Sequence, residues 1–290
     1  MNLLSFGSAN RDLVYHVDHI VREKETISCR DVTTGIGGKG LNQSIALSRA
    51  GGGAYLAARI CEKDGDILDF LHTQNVDTRF VEICAEETGH AIIQVDKNGQ
   101  NSIIVVPGAN AGFTQSYVDR VFAEFHGGAV VLQNEINLIP EIMKKASEAG
   151  NMILFNPSPF SGEILAKYPL ELVDIFVVNE VEGGAMTGET GPEEILRALL
   201  DAYPAAKIVL TVGADGSWFA DRHGALFQPI FPAEVVDTTA AGDTFLGYFL
   251  SSYAESPDPE RALRLASRAS AITVSRPGAA ASIPFPGELA

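Results

Sequence analysis

The chain has 290 residues, 46% apolar and 20% charged, enough to bury a large core without disulfide or metal staples. Its 37 acidic and 21 basic residues give a formal net charge of −16. That charge excludes broad non-specific binding to nucleic acid or to an anionic membrane surface, though a local pocket of backbone N–H groups can still hold an anion. No apolar run approaches the roughly 18 residues of a membrane span. The first residues, Met1 to Gly7, carry no basic segment before an apolar one, so a cytoplasmic protein without a signal peptide is expected. Cys29, Cys61 and Cys84 are widely spaced with no C-x-x-C pair, and are expected to be buried small hydrophobes rather than zinc ligands.

In chain order, a first apolar strand ends before Gly7-Ser8-Ala9, and Asn10 and Asp12 follow it. Leu13 to Val17 and Thr26 to Val32 read as further strands. Gly35, Gly37, Gly38 and Gly40 then place four glycines in six residues before a helix expected over residues 43–50, and Lys39 and Asn42 are held beside them. The spacing fits neither G-x-x-x-x-G-K-[ST] nor G-x-G-x-x-G, but so many glycines imply close backbone approach to a ligand or to a tight turn. His90 to Asp96 and Ser102 to Val106 are strand-like and flank Asn98-Gly99, a hairpin signal.

From residue 130 the pattern changes. Val130 to Gln133, Met152 to Phe155, Asp174 to Val178 and Lys207 to Val212 are short buried strands, alternating with helices expected over 139–149 and 192–203. Such alternation indicates βαβ units and a parallel sheet covered on both faces. Polar residues recur where strands end: Asn10 and Asp12, Glu135, Asn179 and Glu182, Thr211 and Gly213. In open parallel sheets ligands bind beyond those ends, so the repetition suggests one shared cleft. A strand ending near Val236 and a helix expected over 241–254 bracket Asp237-Thr238-Thr239-Ala240-Ala241-Gly242-Asp243. Small residues at a helix N-terminus leave N–H groups open to a phosphate, and a carboxylate in the first turn can take a proton from an attacking hydroxyl. Helix capping by Asp237 and a first-turn preference of Asp243 are the plainer alternative.

Two segments carry a family resemblance that extends over nearly the whole chain. Gly37 to Gln43 and Asp237 to Phe245 resemble, in order and spacing, the two signatures of the ribokinase-like (PfkB) carbohydrate and purine kinases, most closely the ribokinases. The resemblance implies a doubly wound, mostly parallel α/β sheet flanked by helices, with a small antiparallel β lid. Residues 1–290 would form one domain, with lid strands from about 12–34 and 88–107, and the lid would join a homodimer. By position, Asp243 is the expected base, and Ala240, Ala241 and Gly242 the expected anion hole. Asn10, Asp12, Gly38, Lys39, Asn42 and Glu135 fall at the sugar. Asn179, Thr211, Gly213 and Gly216 fall at the nucleotide, and Glu182 at Mg²⁺ through phosphates and water. Asp237, Thr239, Thr273, Arg276, Gly278 and Ser282 fall where relatives hold a monovalent cation such as K⁺, partly through carbonyls. Leu41 replaces a smaller residue and is expected to alter the sugar pocket. Leu265 to Arg268, near the expected adenine pocket, departs from the pattern.

The function implied is ATP-dependent phosphorylation of a small unphosphorylated sugar, D-ribose foremost. Fructose, 2-keto-3-deoxygluconate or a purine nucleoside are alternative acceptors, and a non-catalytic sugar or nucleotide sensor is a rival of another class. A dinucleotide oxidoreductase would need G-x-G-x-x-G in the first βα turn, where this chain has Gly7-Ser8-Ala9-Asn10-Arg11-Asp12.

Overall fold

The computed structural model describes residues 1–289; Ala290, the last residue of the expected domain, lies outside them. In chain order the elements are β1 (Asn2–Phe6), β2 (Asn10–His16), β3 (Asp31–Gly37), α1 (Lys39–Arg49), β4 (Gly53–Ala57), β5 (Arg59–Cys61), α2 (Asp66–Thr73), β6 (Glu82–Cys84), β7 (Gly89–Val95) and β8 (Asn101–Val106). There follow α3 (Gln115–Glu124), β9 (Ala129–Gln133), α4 (Ile139–Glu148), β10 (Met152–Asn156), α5 (Gly162–Lys167), β11 (Ile175–Asn179), α6 (Glu180–Thr187) and α7 (Pro192–Ala202). The last are β12 (Lys207–Thr211), β13 (Gly216–Asp221), β14 (Gly224–Pro229), α8 (Ala241–Glu255) and α9 (Pro259–Val274).

The large sheet has the order β14-β13-β12-β11-β10-β9-β1-β4. Its six strands from β12 to β4 run parallel, and the β13–β14 hairpin closes one edge antiparallel. Strand side chains alternate between two apolar cores. One face buries Leu3, Val131, Leu154 and Val209 with Ile45, Phe249 and Leu263 of α1, α8 and α9. The other buries Leu4, Phe6, Val130 and Phe155 with Val121, Ile142 and Leu199 of α3, α4 and α7. Both faces of a parallel sheet are covered in this way, which explains the uninterrupted apolar runs of its strands.

The small sheet has the order β3-β2-β7-β8, antiparallel in its two outer pairs and parallel where β2 meets β7. Its Asn-Gly turn forms as expected: Gly99 is left-handed at φ 78°, and Asp96 accepts from the Asn98 N–H at 2.7 Å. Three elements differ from the sequence reading. The strand expected to end near Val236 is absent: β14 has already ended at Pro229, and residues 230–236 are irregular. The strand expected over 26–32 runs instead from Asp31 to Gly37, because Gly35 and Gly37 pair with Asp12 and Asn10 rather than forming a loop. The helix expected from residue 43 begins at Lys39, directly after Gly38 turns the chain at φ 97°. The cysteines also differ: Cys61 is buried, but Cys84 is half-buried and Cys29 is exposed in the irregular segment before β3.

Two helices on one face set the site. Gly247 of α8 lies so close to Ala46 of α1 that a Cβ there would overlap the Ala46 side chain and stand 2.8 Å from its carbonyl carbon. Behind the pair, the Arg49 guanidinium at the end of α1 lies 4.3 Å from the Phe285 ring centroid and donates to the Ile283 carbonyl, while Tyr248 Oη, next to Gly247 on α8, donates to the Pro284 carbonyl at 2.7 Å. Alanine is the better helix former by up to about 1 kcal/mol. Overpacking a tight helix contact costs typically about 1–3 kcal/mol, so Gly247→Ala is expected to lower stability, read as a lower urea midpoint. An unchanged or higher midpoint would show that α1 can move away without cost.

Candidate active site

The carboxyl ends of β1, β9, β10, β11 and β12 face a cleft of about 430 Å³, roofed by the small sheet. Asp243, in the first turn of α8, is buried at its floor. Asn42 Nδ2 donates to its Oδ2 at 3.1 Å, and Gln43 Nε2 donates to its Oδ1 at 2.9 Å. Each carboxylate oxygen keeps a second lone pair, and the residue lines the cleft, so it can still accept a proton there.

Ala240 precedes α8 in the left-handed conformation, φ 60°, at a cost of roughly 1–2 kcal/mol for a residue with a side chain. This turn aims the start of the helix at the cleft. Among the described residues, no backbone acceptor faces the N–H groups of Gly242 or Asp243, while the Ala241 N–H is occupied by the Thr238 carbonyl at 3.2 Å. The expected anion hole is therefore reduced by one donor: the turn that orients the helix uses the Ala241 amide itself. Ala240 and Gly242 line the cleft and Ala241 does not.

At the other end, Asn10, Asp12, Gly38, Lys39, Asn42 and Glu135 all line the same cleft. Gly37 leaves the space that the Asp12 carboxyl fills; a Cβ there would overlap Oδ2. Burial and the nearby Glu135 push Asp12 up to about 6. Burial also raises Glu135, although Lys39 and a 2.5 Å hydrogen bond from Ser8 Oγ pull the other way. Burial pulls the Lys39 ammonium down, but Asp243, Glu135 and Glu182 outweigh it and hold the group above its ordinary value. Asn10 is fixed from behind, accepting from Asn110 Nδ2 at 2.7 Å. Leu41 is fully buried in the core and does not line the cleft, so the expected change in the sugar pocket is not realised: the third position of α1 points into the sheet face.

Along the remaining wall stand Asn179, Glu182 and Thr211. Asn179 caps α6, accepting from the Glu182 N–H at 2.8 Å, and Glu182 Oε2 accepts from the Asn179 N–H at 3.1 Å. Asn156 Nδ2 also reaches Glu182 Oε2, at 3.4 Å. Gly213 turns the β12–β13 connection at φ 50° and Gly216 opens β13; neither lines the cleft. Ser267 is buried on α9 opposite Ser217, whereas Leu265 and Arg268 line a separate groove.

Of the six residues expected at a monovalent cation, three meet directly. Asp237 Oδ1 accepts from the Thr239 N–H and Oγ1, and Oδ2 from the Gly278 N–H at 2.9 Å. Burial raises Asp237, but these bonds outweigh it and hold the carboxyl below the usual range. The Thr273 hydroxyl instead donates to Ala269 O and is paired with the Thr244 hydroxyl at 3.0 Å, Ser282 donates to Ala279 O, and Arg276 pairs with Glu288.

Sequence reasoning missed Asn156, Ser158 and the lid residues Ile93, Asn101, Ile103 and Val105, all of which line the cleft. Asn156 was legible as the polar residue ending a strand before Pro157. The lid residues carry no signal beyond β alternation.

The pfkB family carbohydrate kinase model matches residues 1–286. The chain is 35% identical to the bifunctional ribokinase/ribose-5-phosphate isomerase A of Fructilactobacillus sanfranciscensis, over 97% of this chain but only 54% of that protein. It is 32% identical to the ribokinase of Bacillus subtilis, over 99% of this chain and 98% of that one. The structure of Arabidopsis thaliana ribokinase complexed with ribose and ATP superposes with a TM-score of 0.86 at 30% identity, covering 99% of this chain and 97% of that one.

The raised Asp12 makes a test that needs no substrate. Its folded value, about 6, exceeds the ordinary 3.8, so the folded state favours the neutral form. The ionised group therefore costs nothing below about pH 4 and destabilises the fold fully above about pH 6, by up to about 3 kcal/mol. Asp12→Asn is expected to raise the Tm of the substrate-free protein at pH 8 and to leave it unchanged at pH 4. Equal shifts at both pH values would refute the burial argument.

Proposed function

This chain belongs to the pfkB family of carbohydrate kinases, and on that premise we propose that it transfers the γ-phosphate of ATP to D-ribose, giving ribose 5-phosphate. The observation that carries the reading is the arrangement of one cleft. Hydroxyl-binding carboxyls, Asp12 and Glu135, stand at one end, and Asp243 lies beside the open N–H groups that begin α8. Adjacent hydroxyls of a ribose suit those carboxyls and the amides of Asn10 and Asn42.

Asp243 takes the proton of the attacking hydroxyl as its oxygen approaches phosphorus. The N–H groups of Gly242 and Asp243, with the positive end of the α8 dipole, receive the charge that spreads over the phosphoryl oxygens. Lys39, the single cation on the wall, sits among four carboxyls, those of Asp12, Glu135, Glu182 and Asp243. That balance favours an uncharged sugar over a sugar acid such as 2-keto-3-deoxygluconate or a phosphorylated sugar.

No group of three or more His, Cys, Asp or Glu among the described residues could cage a metal. The site therefore fits Mg²⁺ carried in with the nucleotide phosphates and water, with Glu182 at its edge. When bound, that ion supplies charge neutralisation at the phosphoryl oxygens. A potassium ion at the loop pair joined by Asp237 and Gly278 would be held partly through main-chain oxygens. Equal rates in K⁺ and in a bulky organic cation would remove that assignment. We also assign the lid to a homodimer: Val32 and Ile104 share its outer face and are 47% and 57% exposed. Light scattering at the mass of one chain would rule this out. Three free cysteines suit a reducing, cytoplasmic setting.

The test is ADP formation over a panel of ribose, fructose, 2-keto-3-deoxygluconate and purine nucleosides. Ribose is expected to give the highest kcat/KM; another acceptor on top would replace the substrate, and no turnover with any would favour a sensor. Asp243→Asn is expected to lower kcat by roughly 10²–10⁴-fold while KM for sugar and ATP moves less than about threefold.

A further inference from the structure

The amide that holds Asp243 is itself held. Gln43 is fully buried on α1, donating through Nε2 to Asp243 Oδ1 at 2.9 Å and accepting at Oε1 from Gln133 Nε2 at 2.6 Å. Gln133 is fully buried too, at the last position of β9, and does not line the cleft. We propose that Gln133 and Gln43 are positioning residues, a one-way chain of side-chain amides that fixes the rotamer of the catalytic carboxylate.

The direction of the chain is dictated by charge. A carboxylate accepts hydrogen bonds and donates none, so Gln43 must turn its NH₂ towards Asp243 and its oxygen away. That oxygen meets Gln133, which must in turn present its own NH₂. Each orientation follows from the one before, from the floor of the cleft to an interior strand of the sheet.

Packing alone does not account for Gln133. Its Oε1 is buried without a partner among the described residues, an arrangement that an apolar side chain of similar size would avoid. The space for that amide exists because residue 7 is glycine: a Cβ on Gly7 would overlap Gln133 Oε1. The anchor is also stiff, since Gln133 sits opposite Asn156 in the parallel β9–β10 pair. The chain thus ties the carboxylate to a buried strand paired on both sides, and small displacements of a reacting group are costly to rate.

The proposal rests on Asp243 acting as the base. It is tested by Gln133→Met, Gln133→Glu, Gln43→Met and the Gln133→Met/Gln43→Met double variant, each with ribose kinetics and a urea midpoint. Gln133→Met is expected to lower kcat about tenfold with KM for ribose unchanged within about twofold. The double variant is expected to be no slower than Gln43→Met alone, because both substitutions break one chain. Gln133→Glu keeps the volume, and at full burial its carboxyl takes up a proton and can donate to Gln43 Oε1 as the amide did, so its kcat should exceed that of Gln133→Met. Wild-type kcat in Gln133→Met, even with a lowered midpoint, would reduce Gln133 to packing and overturn the proposal; so would a raised KM at unchanged kcat. A wild-type enzyme that ignores ribose would count against the substrate assignment instead, and the same variants would then be read with the acceptor that the panel identifies.

Discussion

The close approach of α1 and α8 is the constraint on which the site depends. Gly247 against Ala46 brings two helices near enough for side chains about 200 positions apart to share a carboxylate. Asn42 and Gln43 are consecutive on α1, yet both reach Asp243, because the helix starts with its first turn directed at the N-terminus of α8. If the helices were further apart, the base would have no donors, the start of α8 would not face the cleft, and the glycine-rich turn would lead nowhere. Gly38 and Gly40 serve the same end. A Cβ on Gly40 would lie 2.5 Å from the Gly7 carbonyl carbon, so the first strand and the first helix could not otherwise pass each other.

Charge explains what the cleft selects. Four carboxyls around one lysine form an unusual lining for an enzyme that handles a triphosphate. Under the proposed function the labour would be divided: the protein would supply groups that take hydrogen-bonded hydroxyls and protons, while neutralisation of the nucleotide would fall to helix-terminal N–H groups and to counterions that arrive with it. The net charge of the whole chain points the same way, and the local site is not an exception to it.

Much of this was legible in the sequence, for reasons that differ by element. The parallel strands were readable because burial on both faces produces continuous apolar runs, as in Val130 to Leu132 and Ile208 to Leu210. The site was readable because its polar residues sit just beyond those runs. What escaped was information held in pairing. The strand Asp31–Gly37 was displaced in the reading because its glycines resemble a loop until β2 lies beside them. The parallel union of β2 and β7 joins segments far apart in the chain and leaves no local mark. Gln43 and Gln133 look like ordinary polar residues near a helix start and a strand end; only their shared burial next to Asp243 gives them a role. The amide of Ala241 was assigned to the anion because sequence shows that a donor exists and not that Thr238 has taken it.

The contacts at the rear of α1 and α8 give the final segment an unexpected reach. Residues 283–285 cross behind both helices, with Arg49 on one and Tyr248 on the other gripping successive carbonyls. The tail acts as a clasp on the helix pair: it holds the last turn of α1 and the middle of α8, whose first turns carry the amides and the carboxylate. Cutting away residues 283–285 would thus loosen the pair that positions Asp243, and a disturbance there would reach the cleft without touching any residue that lines it.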